Sequence, residues 1–482
     1  MKTNYDLIII GAGPGGYVAA IKAAKAGLDT AVIESRRAGG TCLNRGCIPA
    51  KAMIHAAEVY RQSLEGAAFG IHTQGVAFDY GEILSYKQET METLVQGVEQ
   101  LLKGNGVTLI NGFGQLISPE KGENRVNVSL FANEGENPSE TILTAQNVIL
   151  ATGSKPAVRP VPGMDLPQVL DSDGLFALDR APKSLVIIGG GVIGVEFATV
   201  FSALGTRVTI LEALPKILDN FDKEISQNLK MILKKRGVDI HTGAMVQSAE
   251  AARTEDGEGV RCLYTEKDKE QAAEGEFLLC AAGRTPNLDG LFAEGAAPEM
   301  NGRFIAVDEE FRTSIPGVWA IGDATGGIQL AHAASAHGIR VIETITGEEQ
   351  AQDLSLIPGC VYTDPEIASV GITEGTAKEQ GIDVLAGKHI MSANGKSLIT
   401  REERGFIKVV ADASDLRILG AQMMCARATD MIGEFTTAMA NGLTVPDLLR
   451  GVRAHPTYNE GIAEALEDVT GESLHTMPRR KR

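Results

Sequence analysis

The amino-acid sequence predicts an α/β protein built around two Rossmann-like nucleotide-binding domains. A strand–glycine–helix–strand pattern occurs twice, and both copies have the same internal spacing. The chain of 482 residues is also too long for one ordinary hydrophobic core. Hydrophobic residues make up 44% and charged residues 22% of the chain, as in globular proteins. The net charge of −17 argues against broad nucleic-acid binding.

The first copy starts with the apolar run at 7–10, which is typical of a buried parallel strand. A turn with G-x-G-x-x-G spacing follows: its first glycine makes the tight turn, the second admits a pyrophosphate and the third allows close helix packing. These glycines are Gly11, Gly13 and Gly16. A second strand is predicted at 30–33, and it leads into Glu34, where an acid should meet ribose hydroxyls.

The second copy repeats this order from the apolar run at 185–188. Its glycines are Gly189, Gly191 and Gly194, and its acid is Glu212. In both copies the acid follows the first glycine by 23 residues, which disfavours two unrelated glycine-rich turns. The stretch 185–204 has the hydropathy of a membrane span, but its glycines and Glu196 favour a buried strand and helix.

Glu212 also predicts the choice of nucleotide. A carboxylate at this strand end would accept hydrogen bonds from a 2′-hydroxyl and repel a 2′-phosphate. No arginine follows at 213–216 to offset that charge, so we expect the second site to prefer NAD over NADP. Further along, the segment 313–321 is predicted to form a strand ending in Gly322 and Asp323. Asp323 could accept a ribose or ribityl hydroxyl there, although an ordinary strand-to-turn sequence looks the same.

Cys42 and Cys47 lie five residues apart, just after the first fingerprint. On a regular helix they would be separated by about 140° of rotation, so pairing requires an irregular turn, which Gly46 and Pro49 make plausible. Such a small ring would be a poor structural staple, which favours redox use. No second thiol or histidine cluster lies nearby at ligand spacing to support metal binding. Two unpaired cysteines in the core stay an alternative. The other cysteines read as core or surface residues, and six in all suit a reducing compartment.

Lys51 follows Cys47 by four residues and would lie on the same helical face. A cation there could hold a thiolate or polarise a cofactor ring, whereas the alternative is a solvated helix lysine. Glu196 is its natural partner, because it is a charge within an apolar helix and is unlikely to be buried unpaired.

His455 precedes Pro456 and is therefore expected on a loop that enters a helix. Thr457 and Glu460 fit a capping box, which is a sufficient structural reason for Glu460. The functional alternative is a histidine oriented by a carboxylate and acting as acid–base for a thiol. In a helix predicted around 330–337, His332 or His337 is expected to pack near a cofactor and the other to be solvated.

Taken together, the cysteine motif, the two fingerprints, Gly322-Asp323 and the terminal His-Pro-Thr resemble the pyridine nucleotide–disulfide oxidoreductases. Within this family the chain is most similar to the dihydrolipoamide dehydrogenases, from about residue 5 to 470. The segments 362–366, 420–421 and 431–434 match the family's dimer-interface domain. The resemblance implies an α/β fold with two Rossmann-like nucleotide-binding domains plus a C-terminal α+β dimerisation domain. We expect an FAD-binding domain at 1–152 and 281–350, an NAD-binding domain at 153–280 and a dimer-interface domain at 351–482.

The resemblance also assigns roles to residues. Cys42 would be the thiol attacked by substrate and Cys47 the thiol stacked on the flavin. His455, supported by Glu460, would be the base contributed by the other subunit of a homodimer. No metal is implied. FAD would be held by Gly11, Gly13, Gly16, Glu34, Lys51, Gly322 and Asp323. NAD would be held by Gly189, Gly191, Gly194, Glu196 and Glu212, with Glu196 also paired to Lys51.

Dihydrolipoamide would be oxidised to lipoamide with NAD as acceptor, and the partner would be a lipoyl-bearing subunit of a 2-oxo acid dehydrogenase or glycine cleavage complex. Related reductases of another disulfide or a metal ion, and a non-catalytic flavoprotein scaffold, stay as alternatives. The sequence departs from the family's common residues at Arg45, Ala50, Ala333 and Arg453, which leaves substrate preference open. No signal peptide is visible before the first strand, so we expect a cytoplasmic protein. The basic run 479–482 is expected to be a solvated tail or a docking tail.

Overall fold

A computed structural model of the protein describes residues 2–131 and 139–476. The basic run 479–482 lies outside the described residues. Within the two described ranges, helices and strands form three sheet-centred units that share one large cavity.

The first unit contains a parallel sheet in which β1 pairs with β2 on one side and β5 on the other. The sheet continues from β2 to β3 and from β5 to β18, also in parallel, while β4 pairs antiparallel with extensions of β3 and β5. Its strands are β1 (Asn4–Ile10), β2 (Thr30–Glu34), β3 (Thr108–Glu120), β4 (Glu123–Leu130), β5 (Ser139–Leu150) and β18 (Val318–Ala320). Its helices are α1 (Pro14–Lys25), α2 (Gly40–Arg45), α3 (Cys47–Leu64), α4 (Tyr80–Gly104) and α8 (Ala331–Thr346).

The second unit repeats this plan. A parallel sheet runs β10-β9-β8-β14-β7, and an antiparallel meander β11-β12-β13 corresponds to the antiparallel strands of the first unit. The strands are β7 (Val169–Leu170), β8 (Ser184–Ile188), β9 (Arg207–Glu212), β10 (Asp239–Thr242), β11 (Met245–Thr254), β12 (Gly257–Glu266), β13 (Lys269–Gly275) and β14 (Phe277–Cys280). The helices are α5 (Ser172–Phe176), α6 (Val192–Ala203) and α7 (Lys223–Lys235).

The internal repeat inferred from sequence is therefore a repeat in three dimensions. The segment 185–204 forms β8 and α6, both largely buried, as the sequence predicts. Among the described residues, no helix is long and apolar enough to cross a membrane.

Two connections join the units. The strands β6 (Ser154–Pro156) and β15 (Arg284–Pro286) pair with each other where the chain enters and leaves the second unit, and β18 then returns to the first sheet. The domain boundaries given above stay predictions. The strand predicted at 313–321 is wrong in extent: only 318–320 is strand, because a turn at Pro316–Gly317, with Gly317 at φ 73°, interrupts the extended chain. A short hairpin, β16 (Met300–Asn301) with β17 (Phe304–Ile305), precedes this turn.

The third unit is an antiparallel sheet in the order β19-β20-β23-β22-β21, with helices packed against it. The strands are β19 (Gly359–Val361), β20 (Ile367–Gly371), β21 (Val384–Ile390), β22 (Phe406–Asp412) and β23 (Ile418–Met424). The helices are α9 (Glu374–Gln380), α10 (Gly395–Thr400), α11 (Ala428–Ala440), α12 (Val445–Leu449) and α13 (Glu460–Thr470). Short 3₁₀ turns occupy Gly66–Phe69, Gly322–Thr325 and Met391–Ala393.

Candidate active site

The two glycine turns have matching geometry. Gly11 and Gly189 have φ of 105° and 110°, a region that favours glycine, and each lies against the backbone of the neighbouring strand end. A Cβ on Gly16 or on Gly194 would come within 1.9 Å of the carbonyl oxygen of the first glycine in its own turn. The third glycine of each fingerprint is therefore needed for helix–strand packing, as the sequence predicts.

The middle glycines differ from the others, because space remains in front of them. A Cβ on Gly191 would meet no atom within 4 Å, and one on Gly13 would meet only Gly40 Cα, at 3.9 Å. Each turn thus keeps an open cradle at the start of a helix, where backbone N–H groups favour an anion such as a pyrophosphate.

The acids at the ends of β2 and β9 are also equivalent. Glu34 Oε2 accepts the N–H of Ala12 at 2.8 Å, and Glu212 Oε2 accepts the N–H of Gly190. The other oxygen of each carboxylate accepts a backbone N–H two residues further on, from Arg36 at 2.8 Å and Leu214 at 2.7 Å. Both acids are buried and fixed beside the glycine turn, and each oxygen retains a lone pair for a ribose hydroxyl.

A cavity of about 1240 Å³ connects the two cradles. Except for Gly16, the first-unit residues predicted for the site line it, together with both cysteines and the start of α6. These lining residues include Gly11, Gly13, Glu34, Cys42, Cys47, Lys51, Gly322, Asp323, Gly191 and Glu196. Gly16, Gly189, Gly194 and Glu212 are not among the lining residues.

Cys42 and Cys47 lie within hydrogen-bonding reach of each other, with both thiols free. Cys42 lies in α2 and Cys47 begins α3, and Gly46 (φ −141°, ψ −105°) supplies the irregular link that the sequence predicts. The hydrogen bond donated by Cys42 is the main cause that lowers the pKa of Cys47 to about 7, with a further contribution from Lys51 and opposition from burial and Glu196. Donating that bond, together with burial, raises the pKa of Cys42. The first thiolate of the pair therefore forms on Cys47.

Lys51 and Glu196 form the ion pair that the sequence predicts. Lys51 Nζ lies 2.9 and 2.8 Å from the two carboxylate oxygens, which joins α3 of the first unit to α6 of the second. Glu196 Oε1 also accepts the N–H of Tyr362 at 3.0 Å, and Lys51 Nζ lies 4.6 Å from the centre of the Tyr362 ring. The sequence analysis also placed Glu196 among the residues that would hold NAD. The contacts of its carboxylate that the structure describes are with Lys51 and Tyr362.

Asp323 lies in the 3₁₀ turn that follows β18. It accepts a hydrogen bond from Ser154 Oγ and lies 3.9 Å from Arg284 Nε. Arg284 in turn donates to Ser154 Oγ at 2.7 Å, so the acid is held at the crossing of the two units. His337 packs on Phe311, and burial lowers its pKa to about 4, so it is a neutral acceptor for the N–H of Gly322 at 3.3 Å. His332 is exposed at the cavity wall, where Nε2 lies 2.8 Å from the carbonyl of Pro358.

His455 lies on an exposed loop and contacts Glu460, with Nδ1 2.9 Å from Oε1. The second oxygen, Oε2, accepts the N–H of Thr457 at 2.8 Å. The predicted capping box is only half formed: α13 begins at Glu460, and the Thr457 hydroxyl donates to the carbonyl of Ala454 instead of capping the helix. One carboxylate therefore serves both the turn and the histidine. His455 is not among the described residues that line the cavity.

Sequence reasoning missed several cavity residues. Tyr362 and Cys360 line the cavity from β19 and the turn after it, and Arg284 comes from β15. Burial raises the pKa of Cys360 to about 11, so it stays a thiol when Cys47 ionises. In the sequence, Tyr362 stands out only as part of the dimer-domain motif. Cys360 is an isolated cysteine, and no local pattern predicts that it lines the cavity.

Two buried polar atoms at this cavity have no partner among the described residues: Thr152 Oγ1 and Gln329 Nε2. Buried polar groups are rarely left unpaired, so these atoms favour a polar group in the cavity. With the two open cradles, a volume that spans both units and a reactive thiol between them, the site has the features of a dinucleotide-dependent disulfide oxidoreductase.

Comparison with known proteins leads to the same class of enzyme. Residues 5–338 match the pyridine nucleotide-disulphide oxidoreductase family and residues 357–466 match its dimerisation domain. The chain belongs to this family. A dihydrolipoyl dehydrogenase of Bacillus subtilis is 38% identical over 98% of this chain and 100% of its own length. One from Geobacillus stearothermophilus is 39% identical over 98% of this chain and 97% of its own.

Solved structures lead to the same family. LpdA from Mycobacterium tuberculosis has a TM-score of 0.87 and 27% identity, covering 97% of this chain and 99% of its own. RclA from Escherichia coli, described as an HOCl-induced flavoprotein disulfide reductase and solved with Cu(II), has a TM-score of 0.83 and 29% identity over 97% and 99%. The chain is therefore an enzyme of the flavoprotein disulfide oxidoreductase class, as the sequence predicts, with the predicted α/β fold and dimerisation domain.

Proposed function

We propose that this enzyme oxidises dihydrolipoamide to lipoamide with NAD as the final acceptor. The observation that carries the proposal is the pair of hydrogen-bonded thiols, Cys42 and Cys47, in the cavity between the two nucleotide cradles. A thiol pair can exchange with the dithiol of a substrate, and the adjoining cradles offer places for carriers of the two electrons. Relatives that match over nearly the whole chain carry the name dihydrolipoyl dehydrogenase.

Two nucleotide cofactors would fit the residues present. The first cradle, with Glu34, Lys51, Gly322 and Asp323, would hold FAD. The second, with Glu212 and the start of α6, would hold NAD. When bound, FAD would supply a two-electron carrier beside Cys47 and NAD a hydride acceptor.

NAD is favoured over NADP by the surroundings of Glu212. Its carboxylate is buried at the end of β9, where a 2′-phosphate would bring like charges together. The next cation along the chain after Glu212, Lys216, donates to the carbonyl oxygens of Asp219 and Phe221, at 2.5 and 2.9 Å. Lys216 is therefore already engaged and does not offset the repulsion.

The thiols would act by exchange. With Cys42 and Cys47 joined as a disulfide, a substrate thiolate attacks Cys42, and Cys47 leaves as a thiolate. The second substrate thiol then attacks the mixed disulfide, so that the cyclic substrate disulfide leaves and Cys42 regains its thiol. The pair has then gained the two electrons that the substrate lost. Cys47 suits the leaving role because Lys51 stabilises its thiolate, and Cys42 also stabilises it by a hydrogen bond once its own thiol is restored.

His455 would take the protons that the substrate thiols release, and Glu460 would hold its ring. The histidine side chain is 79% exposed and, within one chain, is not part of the cavity wall. Its exposure suits delivery to the cavity of a second copy, and the matched dimerisation domain supports a homodimer. The substrate-carrying partner would be a lipoyl-bearing subunit of a 2-oxo acid dehydrogenase or glycine cleavage complex, in the cytoplasm.

The test is steady-state turnover of free dihydrolipoamide with NAD, and with NADP in parallel. We expect turnover with NAD and a large preference for NAD over NADP. Turnover of another disulfide or a metal ion, with none of dihydrolipoamide, would instead indicate a related reductase. Bound flavin without any thiol turnover would indicate a non-catalytic scaffold.

A further inference from the structure

The loop between α12 and α13, residues 450–459, carries His455 and is largely exposed. Val452 is fully exposed, and Ala454, His455 and Pro456 are exposed as well. Arg453 is the exception on the N-terminal side of His455: its side chain is only 9% exposed. A buried, charged side chain in an exposed loop requires a partner that repays its desolvation.

That partner is Glu434 on α11. Arg453 Nη2 donates to Glu434 Oε1, while Arg453 Nη1 donates to the carbonyl of Gly451 at 3.2 Å. The other oxygen, Glu434 Oε2, accepts Asn459 Nδ2 at 3.1 Å. One carboxylate thus holds the loop two residues before His455 and four residues after it.

The contact at Asn459 extends to the histidine. Asn459 is followed by Glu460, whose Oε1 holds His455 Nδ1 at 2.9 Å. The loop anchored by Arg453 and the helix start anchored by Asn459 must keep their spacing for this contact to form. Loss of either anchor would let the exposed His455 move away from the carboxylate that orients it.

We propose that Arg453 and Glu434 are positioning residues that hold His455 against Glu460 and so set its direction toward the substrate thiol. This inference rests on the proposed role of His455. Arg453 is one of the positions at which this sequence departs from the family's common residues. A guanidinium suits it because its planar fork can reach the carboxylate and a backbone carbonyl together.

The test compares Arg453→Met with Arg450→Met in the full-length dimer. Arg450 is a matched control: it begins the same loop, but its side chain is 83% exposed and 3.9 Å from Asp447. Arg453→Met is expected to lower kcat for dihydrolipoamide and NAD by about 10- to 100-fold, since small misplacements of a catalytic group have effects of this size. NADH oxidation by ferricyanide, which bypasses proton transfer at the thiols, should stay unchanged.

The difference between the two activities separates positioning from general damage. Arg453→Lys should restore part of the rate, and Glu434→Gln should behave like Arg453→Met, with a double variant little worse than either. Equal losses of both activities, or a loss no larger than in Arg450→Met, would overturn the inference.

A second measurement keeps the two proposals distinct. The imidazole NMR signal of His455, assigned by its loss in His455→Gln, should shift in Arg453→Met and stay in place in Arg450→Met. A wild-type enzyme without dihydrolipoamide turnover would refute the proposed function, whereas an unshifted signal would refute the positioning role.

Discussion

Replacement of Lys51 by methionine tests the electrostatics of the thiol pair. Lys51 Nζ is held by Glu196 at 2.8 Å and is one of the groups that lower the pKa of Cys47 to about 7. Methionine keeps most of the side-chain volume and removes the charge. The pKa of Cys47 should therefore rise, both because a favourable cation is lost and because Glu196 is left uncompensated near the thiol.

The expected rise in the pKa of Cys47 follows from the relative sizes of the contributions that lower it. The hydrogen bond from Cys42 is the largest contribution and survives the substitution, so only part of the lowering is lost. A nearby opposite charge changes a pKa by about 1 to 3 units, and the lower end, about 1 unit, suits a minor contribution. A rise of about 1 unit corresponds to about 1.4 kcal/mol and lowers the thiolate-to-thiol ratio of Cys47 about tenfold at a given pH.

The assay is the ultraviolet absorbance of the thiolate in the reduced protein, followed against pH, with Cys47→Ser as the blank. Because the lowered pKa makes thiolate appear as pH rises through about 7, the variant's curve should move to higher pH. Lys155→Met is the matched control, since Lys155 lines the same cavity but is paired with Asp289. A midpoint that stays in place, or moves to lower pH, would refute the electrostatic role of Lys51.

Three further substitutions test other parts of the account. Gly194→Ala should destabilise the second unit, because its Cβ would lie 1.9 Å from a carbonyl oxygen. Gly191→Ala should keep the thermal unfolding temperature and lose NAD affinity, because its Cβ meets nothing within 4 Å. Equal melting temperatures for the two variants would contradict this. Glu212→Ala should lower the ratio of kcat/KM with NAD to kcat/KM with NADP by about tenfold or more, since it removes a buried charge that would repel the 2′-phosphate. An unchanged ratio would refute the role of Glu212 in specificity. His455→Gln should abolish most dihydrolipoamide turnover, by about 10²- to 10⁴-fold, and spare ferricyanide reduction; a small effect on turnover would exclude His455 as the base.

The nucleotide-binding architecture could be predicted from sequence because its signals are local. The apolar runs at 7–10 and 185–188, the glycine spacing and the acids at Glu34 and Glu212 all lie within short segments, and the structure places them in equivalent positions. The Lys51–Glu196 pair is the exception: it spans 145 residues, and burial of a charge in an apolar helix was enough to predict a partner.

Other features depend on contacts that no local pattern encodes. Ser154 and Arg284 converge on Asp323 only because β6 and β15 pair where the chain crosses between units. Arg453 was visible as a departure from the family, but its contact with Glu434 depends on how α11 packs beside the loop. The strand predicted before Gly322 was too long, since the β-branched Thr313 and Ile315 favour a strand while the turn at Gly317 determines where it begins.

Cys42 and Cys47 are proposed to act as a redox-active pair together with a bound flavin. An anaerobic reductive titration of the purified protein tests this pairing, since a flavin and a disulfide each accept two electrons. We expect uptake of four electrons per bound FAD, with a long-wavelength thiolate-to-flavin band that appears midway and is lost in Cys47→Ser. Uptake of only two electrons, or protein that binds no flavin, would refute the coupling of the thiol pair to a flavin.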